Sequence, residues 1–189
     1  MNRKNCLRIA GAVLAAATLC VSTAVARDLA GVTLPDTLRA GETTLQLNGL
    51  GVRQKAIFKV YVGGLYLAAP SKDATAILAA DQPKAIRMHF LRALSKAQLV
   101  DALQEGFTAN AKDKAAAQQA TFTKMLALVP DVKEGDTLTF TYVPGQGTTL
   151  QVNDHQVGVF AGKDFADAVF SIWLGPEPPS KDLQKGMLG

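Results

Sequence analysis

The sequence predicts an α+β fold in which a large antiparallel sheet carries helices on one face. Three observations lead there. Segments with an apolar period of two come in runs, three of them in succession over residues 137–160. Segments with a helical period also come in runs, rather than alternating with strands. The links between successive strands are short and built of Gly, Pro, Asn and Asp, as hairpin links are. A doubly wound sheet or a βα barrel would alternate strand and helix, and is disfavoured.

The first 26 residues read as a secretory signal peptide. Arg3, Lys4 and Arg8 give a positive start, and residues 9–21 form an uncharged run of 13, too short to span a bilayer comfortably. Ala24-Val25-Ala26 supplies the small residues of a cleavage site, which makes Arg27 the expected mature N-terminus. Lipidation at Cys20 is disfavoured because bulky Leu19 precedes it. Cleavage would leave 163 residues, enough for one domain with its own core, expected over residues 27–189. Both cysteines, Cys6 and Cys20, would leave with the signal, so packing alone must hold the rest in an oxidising compartment. Three of the 20 basic residues and none of the 16 acidic ones would leave too, lowering the net charge from +4 to +1. That near-neutral balance argues against a nucleic-acid partner.

Along the remaining chain, residues 42–53 and 56–67 read as two strands. In the second, Ala56, Phe58, Val60, Val62, Gly64 and Tyr66 fall on one face, with Lys59 and Tyr61 on the other. Residues 73–80 read as a short helix, and 84–92 as a strand with Ile86, Met88 and Phe90 facing one way. Ser95 and Gln98 form a capping-box pattern that opens a helix whose buried stripe is Leu99, Leu103 and Phe107. Residues 112–128 give a second helix burying Phe122, Met125 and Leu126, stopped by Pro130. Short strands are expected over 137–143, 148–152 and 156–160. The last strong helix begins near Asp164, places Phe165, Val169, Phe170 and Trp173 on one side, and ends at Gly175-Pro176. Tyr66 and Trp173 are expected in the core.

Catalytic signatures are scarce. Residues 27–189 contain no Cys, and only His89 and His155 as imidazoles, too few for a metal centre; no cofactor is expected. Gly49-Leu50-Gly51 lacks the third glycine of a phosphate-cradling loop. The carboxylates are scattered.

Residues 48–67, Asn-Gly-Leu-Gly-Val-Arg-Gln-Lys-Ala-Ile-Phe-Lys-Val-Tyr-Val-Gly-Gly-Leu-Tyr-Leu, are distinctive. With Phe170-Ser171-Ile172-Trp173-Leu174-Gly175 and the closing Met187-Leu188-Gly189, they resemble the bacterial branch of the chalcone isomerase-like family. The resemblance implies an open-faced β-sandwich with a ligand cleft between sheet and helices. Some members of that family cyclise a chalcone by adding a phenolate to an enone, and others bind fatty acids without chemistry. Carried over by position, the cleft arginine falls on Arg53 and the second cation on Arg92. Tyr61 takes the place of the catalytic threonine, Leu99 that of the catalytic tyrosine, and Gly106 that of the asparagine.

The cations thus persist while most polarising donors are gone, a pattern that suits holding a carboxylate better than moving charge in an enone. The expectation is a periplasmic, non-catalytic binding protein for a hydrophobic acid such as a fatty acid. Arg53, Tyr61, Arg92 and Leu99 are the candidate ligand-binding residues; Arg53, Tyr61 and Arg92 are the catalytic candidates if the chain is instead an isomerase of the intramolecular lyase type. A third reading, an envelope module docking a protein partner, remains open, and stable membrane insertion after cleavage is not expected. One geometric condition attaches to the site. Arg53 and Tyr61 are eight residues apart, roughly 26 Å along a straight strand, and share a headgroup only if the chain reverses or kinks between them.

Overall fold

The computed structural model describes residues 27–189; the expected signal peptide, with Cys6 and Cys20, lies outside the described residues. A seven-stranded antiparallel sheet is built in chain order from β3 (Thr37–Ala40), β4 (Thr43–Lys55), β5 (Phe58–Leu67), β6 (Lys84–Phe90), β7 (Thr137–Val143), β8 (Gly147–Val152) and β9 (His155–Phe160). A separate two-stranded ribbon, β1 (Arg27–Leu29) with β2 (Val32–Leu34), precedes it. Five helices follow from the links: α1 (Ala74–Ala79), α2 (Lys96–Asn110), α3 (Lys114–Ala127), α4 (Lys163–Leu174) and α5 (Lys181–Leu188). Among the described residues no helix is long and apolar enough to cross a membrane.

All five helices contribute to one core against a single face of the sheet. Ile77, Leu103, Phe122, Phe170 and Met187 meet Leu65, Ile86, Phe90, Phe140 and Leu150 there. Residues 165, 166 and 168–174 of α4 are all buried, so this helix is the centre of the helical layer rather than its edge. Phe107 of α2 stacks on Phe122 of α3 with ring centroids 3.9 Å apart, which fixes those two helices to each other. The capping box at α2 is formed in full: Ser95 accepts from Gln98 N–H, and the Gln98 side chain accepts from Ser95 N–H.

Several sequence expectations need correction. Ala56 is not a strand residue. It sits in the two-residue turn between β4 and β5 with φ 52°, and Phe58 beside it is half exposed. The strand's alternating faces are both covered: Leu65 and Leu67 meet the helices, while Val62 packs with Val32 and Leu34, and Tyr66 with Leu45, Leu47 and Ala85. A strand buried on both sides carries no polar alternation to read, so the inner face could not be chosen by pattern. The ribbon β1–β2, the edge strand β3 and the last helix α5 were not expected at all. The first three are only three or four residues long, and α5 follows two prolines with few apolar residues.

Lys84 opens β6 and is almost fully buried, 1% exposed. Its ammonium donates to Ile77 O at 2.7 Å, Ala80 O at 3.0 Å and Leu78 O at 3.3 Å, carbonyls at the end of α1 beyond the helix's own ladder; Leu78 O also accepts from Lys163 Nζ at 2.9 Å. Tyr142 and Phe170 place their rings 5.7 and 5.8 Å from the same nitrogen. Burial pushes the ammonium from its ordinary 10.5 down to about 8, helped by Lys163 and opposed by Asp167 and Asp81. Three tyrosines move the other way. Burial raises Tyr61 to about 12 and also raises Tyr66 and Tyr142 above their ordinary 10.0.

These shifts set opposite slopes for stability. Between about pH 8 and 10.5 the unfolded chain holds the Lys84 proton that the folded chain gives up, so stability rises with pH there. Above pH 10.0 the unfolded chain loses tyrosine protons that the fold retains, so stability falls. Urea midpoints measured across the alkaline range should therefore pass through a maximum between those limits. The Lys84→Met variant should lack the rising limb; a steady decline from neutral pH in the parent protein would contradict the assignment.

Candidate functional site

The chain does reverse between Arg53 and Tyr61. β4 and β5 form a hairpin whose turn is Ala56-Ile57, and the register pairs Arg53 directly with Tyr61. The next pair is Gln54 with Lys59, which leaves Val60 as an extra residue in a β-bulge. Val60 and Tyr61 both reach the helix-side core as a result. Tyr61 is in turn paired with Phe90 on β6, so Arg53, Tyr61 and Phe90 form one row across three strands.

Within that row Tyr61 is 6% exposed and its ring meets Phe90 edge-on at 5.9 Å. Trp173 of α4 donates from Nε1 to the Tyr61 hydroxyl oxygen at 3.1 Å. The Tyr61 hydroxyl proton itself reaches no protein acceptor among the described residues. Burial pushes this phenol up to about 12, against the Trp173 hydrogen bond and the positive charge of Arg53, both of which pull it down. At neutral pH it is a neutral O–H donor inside an apolar wall. Arg53 is half buried and donates from Nη1 to Gln54 O at 2.5 Å; among the described residues no carboxylate pairs with it.

The other two candidates stand elsewhere. Arg92 is exposed just beyond β6, with its guanidinium carbon 4.6 Å above the Phe58 ring, so it belongs to the rim. Leu99 is 3% exposed on the inner side of α2 and adds an apolar wall with no polar group. Gly106 has no room for a larger side chain: a Cβ there would lie 2.7 Å from Ile172 Cγ2.

The helix missed in the sequence forms the side of this site. α5 lies on β4 and β5 at backbone contact: a Cβ on Gly51 would come within 2.3 Å of Leu183 O, and one on Gly49 within 2.3 Å of Gly186 O. Leu183 and Met187 then press on Gly63 and are wholly buried. The Asn48 amide holds the end of α5 by donating to Met187 O, and Gln184 ties it to Trp173 O and Gly175 O. Two hollows of about 240 and 380 Å³ open around α1, towards the far end of β5 from Arg53. None of Arg53, Tyr61, Arg92 or Leu99 lines either of them. Over Tyr61 the space is taken by the chain's own side chains.

The family model described as chalcone isomerase-like matches residues 26–189. The chain belongs to the chalcone isomerase-like family. A solved fatty-acid-binding protein from Arabidopsis thaliana has the same fold, with a TM-score of 0.71 at 18% identity over 87% of this chain and 95% of that one. No curated protein matches the chain. The seven-stranded sheet with helices on one side is thus this family's architecture, and residues 48–67, which carried the resemblance, are the β4–β5 hairpin with the glycines that seat α5.

Within this chalcone isomerase-like chain, Trp173 is a core residue that also touches the candidate site through its hydrogen bond to Tyr61. The sequence placed it correctly inside, but its spacing on α4 said nothing of the hydrogen bond. A usable signal was present, since a buried indole N–H almost always has an acceptor. Among the described residues no group of three or more His, Asp or Glu is placed to hold a metal ion.

Proposed function

We propose that this protein is exported to the periplasm and there binds a hydrophobic carboxylate, such as a fatty acid, without chemistry. The observation that carries the reading is the Arg53–Tyr61 pair: among the described residues, a guanidinium with no carboxylate partner beside a buried phenol whose proton meets no acceptor. An acid headgroup satisfies both, accepting charge-assisted hydrogen bonds from Arg53 and one more from Tyr61. The tail takes the apolar volume now filled by Leu183 and Met187, which makes α5 the element that gives way. Each methylene transferred there adds about 0.8 kcal/mol. A non-catalytic role is supported by Leu99 and Gly106, which supply no donor where the enzymes of the family have one. The fatty-acid-binding relative of the same fold supports the ligand class, and the signal-like N-terminus supports export.

Native mass spectrometry of protein purified without detergent tests this directly. A bound acid, or uptake of added long-chain fatty acid, is expected. Arg53→Ala and Tyr61→Phe should each weaken binding by about 1.5–3 kcal/mol, the range for hydrogen bonds to a charged group. A protein that arrives empty and ignores added fatty acid overturns the reading. Turnover of a chalcone-like enone that is lost in Arg53→Ala would replace it with the isomerase.

A further inference from the structure

The turn of the β4–β5 hairpin carries two large apolar side chains into solvent. Ile57 is 82% exposed and Phe58 52%. Two adjacent side chains of this size, exposed together at a hairpin tip and rimmed by charge, mark an interaction surface. The charged residues of the hairpin itself are all of one sign. Arg53, Lys55 and Lys59 flank the turn, Arg92 lies over the Phe58 ring, and residues 43–72 contain no Asp or Glu. None of these four cations is in an ion pair among the described residues. Asp131 and Asp136 on the neighbouring segment carry negative charge, accepting from Lys96 N–H at 2.6 Å and Lys133 N–H at 2.7 Å, but the Lys96 and Lys133 side chains of the same segment offset them.

We propose that this hairpin tip docks on an anionic lipid surface. Ile57 and Phe58 enter the headgroup layer while the exposed Lys55, Lys59 and Arg92 face lipid phosphates around them. A lipid surface fits better than a protein partner on grounds of size. A stable protein contact buries roughly 800 Å² on each side, far more than a two-residue turn offers, whereas a membrane needs only an apolar tip and a diffuse positive collar. The tip is also continuous with the Arg53–Tyr61 pair at the base of the same hairpin. Docking therefore brings that pair close to the bilayer. The inference stands on the tip itself and does not require the ligand reading.

Flotation of the purified protein, its N-terminus established by intact mass, with phosphatidylcholine vesicles containing or lacking phosphatidylglycerol tests the proposal. Binding is expected only with phosphatidylglycerol, and should weaken as salt is raised. Ile57→Asp with Phe58→Asp, and separately Lys55→Glu with Lys59→Glu, should each lower it by at least about tenfold. All four positions are exposed, so circular dichroism and urea midpoints should stay at the parent values. Phe58→Trp gives a second readout, a blue shift of tryptophan emission on adding phosphatidylglycerol vesicles. Equal binding to both vesicle types, binding unchanged in the double variants, or retention of a protein from extract by a tip indifferent to vesicles would each overturn it.

Discussion

Gly51→Val is expected to unseat α5 and to lower stability by about 3–6 kcal/mol. The estimate is the lost burial of Leu183 and Met187, each worth roughly 1.5–3 kcal/mol when fully removed from water. The mechanism is a collision of backbone with side chain. Any Cβ on Gly51 lies 2.3 Å from Leu183 O and 2.7 Å from Leu183 Cα, and neither atom can rotate out of the way. The helix has to lift. Urea unfolding monitored by circular dichroism measures the effect, with Gln46→Val as the control at an exposed position of the same strand, expected to stay within about 0.5 kcal/mol. The variant has a second use. If the acyl tail takes the place of Leu183 and Met187, lifting α5 should leave the fatty-acid complex less destabilised than the empty protein. A Gly51→Val midpoint equal to the parent's would show that the helix is not seated through the glycines.

The next largest effect is expected from Lys84→Met. Its length resembles that of lysine and it keeps the burial, yet it leaves Ile77 O and Ala80 O without their donor, while Leu78 O keeps the Lys163 ammonium at 2.9 Å. A buried carbonyl stripped of its partner costs about 1–3 kcal/mol, and two at one helix end should sum to roughly 2–4 kcal/mol after some fraying of α1. Lys84→Arg is not expected to restore stability, since a planar guanidinium does not fit a point flanked at 5.7 and 5.8 Å by two rings. The measurement is the urea midpoint at neutral pH, where the parent's lysine is charged and all three bonds are made. A loss below about 1 kcal/mol would mean that water reaches the carbonyls.

How much of this was legible beforehand varies with the kind of signal. The long helices were, because α2 carries both a capping box and a four-residue stripe, and α4 a dense apolar face. The hairpins over residues 137–160 were, because Asn153 and Asp154 accept the positive φ, 48° and 66°, that a tight turn imposes. The turn at Ala56 was not, since alanine gives no such cue and its φ of 52° is imposed by the strands on either side. Of the site, Arg53 and Tyr61 were named from the family resemblance, while their adjacency depended on that unmarked turn. Trp173 was read as packing alone. Arg92 was grouped with Arg53, and the fold leaves it at the rim on Phe58.

Residue pattern alone determined the α+β class and the order of the main elements, and the family resemblance carried by residues 48–67 added a cation and a phenol in place of the family's fuller set of donors. These are local properties, fixed by periodicity, caps and residue identity. Only the tertiary structure decided that Arg53 and Tyr61 face each other, that Trp173 completes the pair, and that α5 closes over it. Those facts depend on a strand register and on backbone contact at Gly49 and Gly51 with a helix more than 130 residues away. A glycine states that a side chain is missing there; which segment fills the space is settled only by the packed chain.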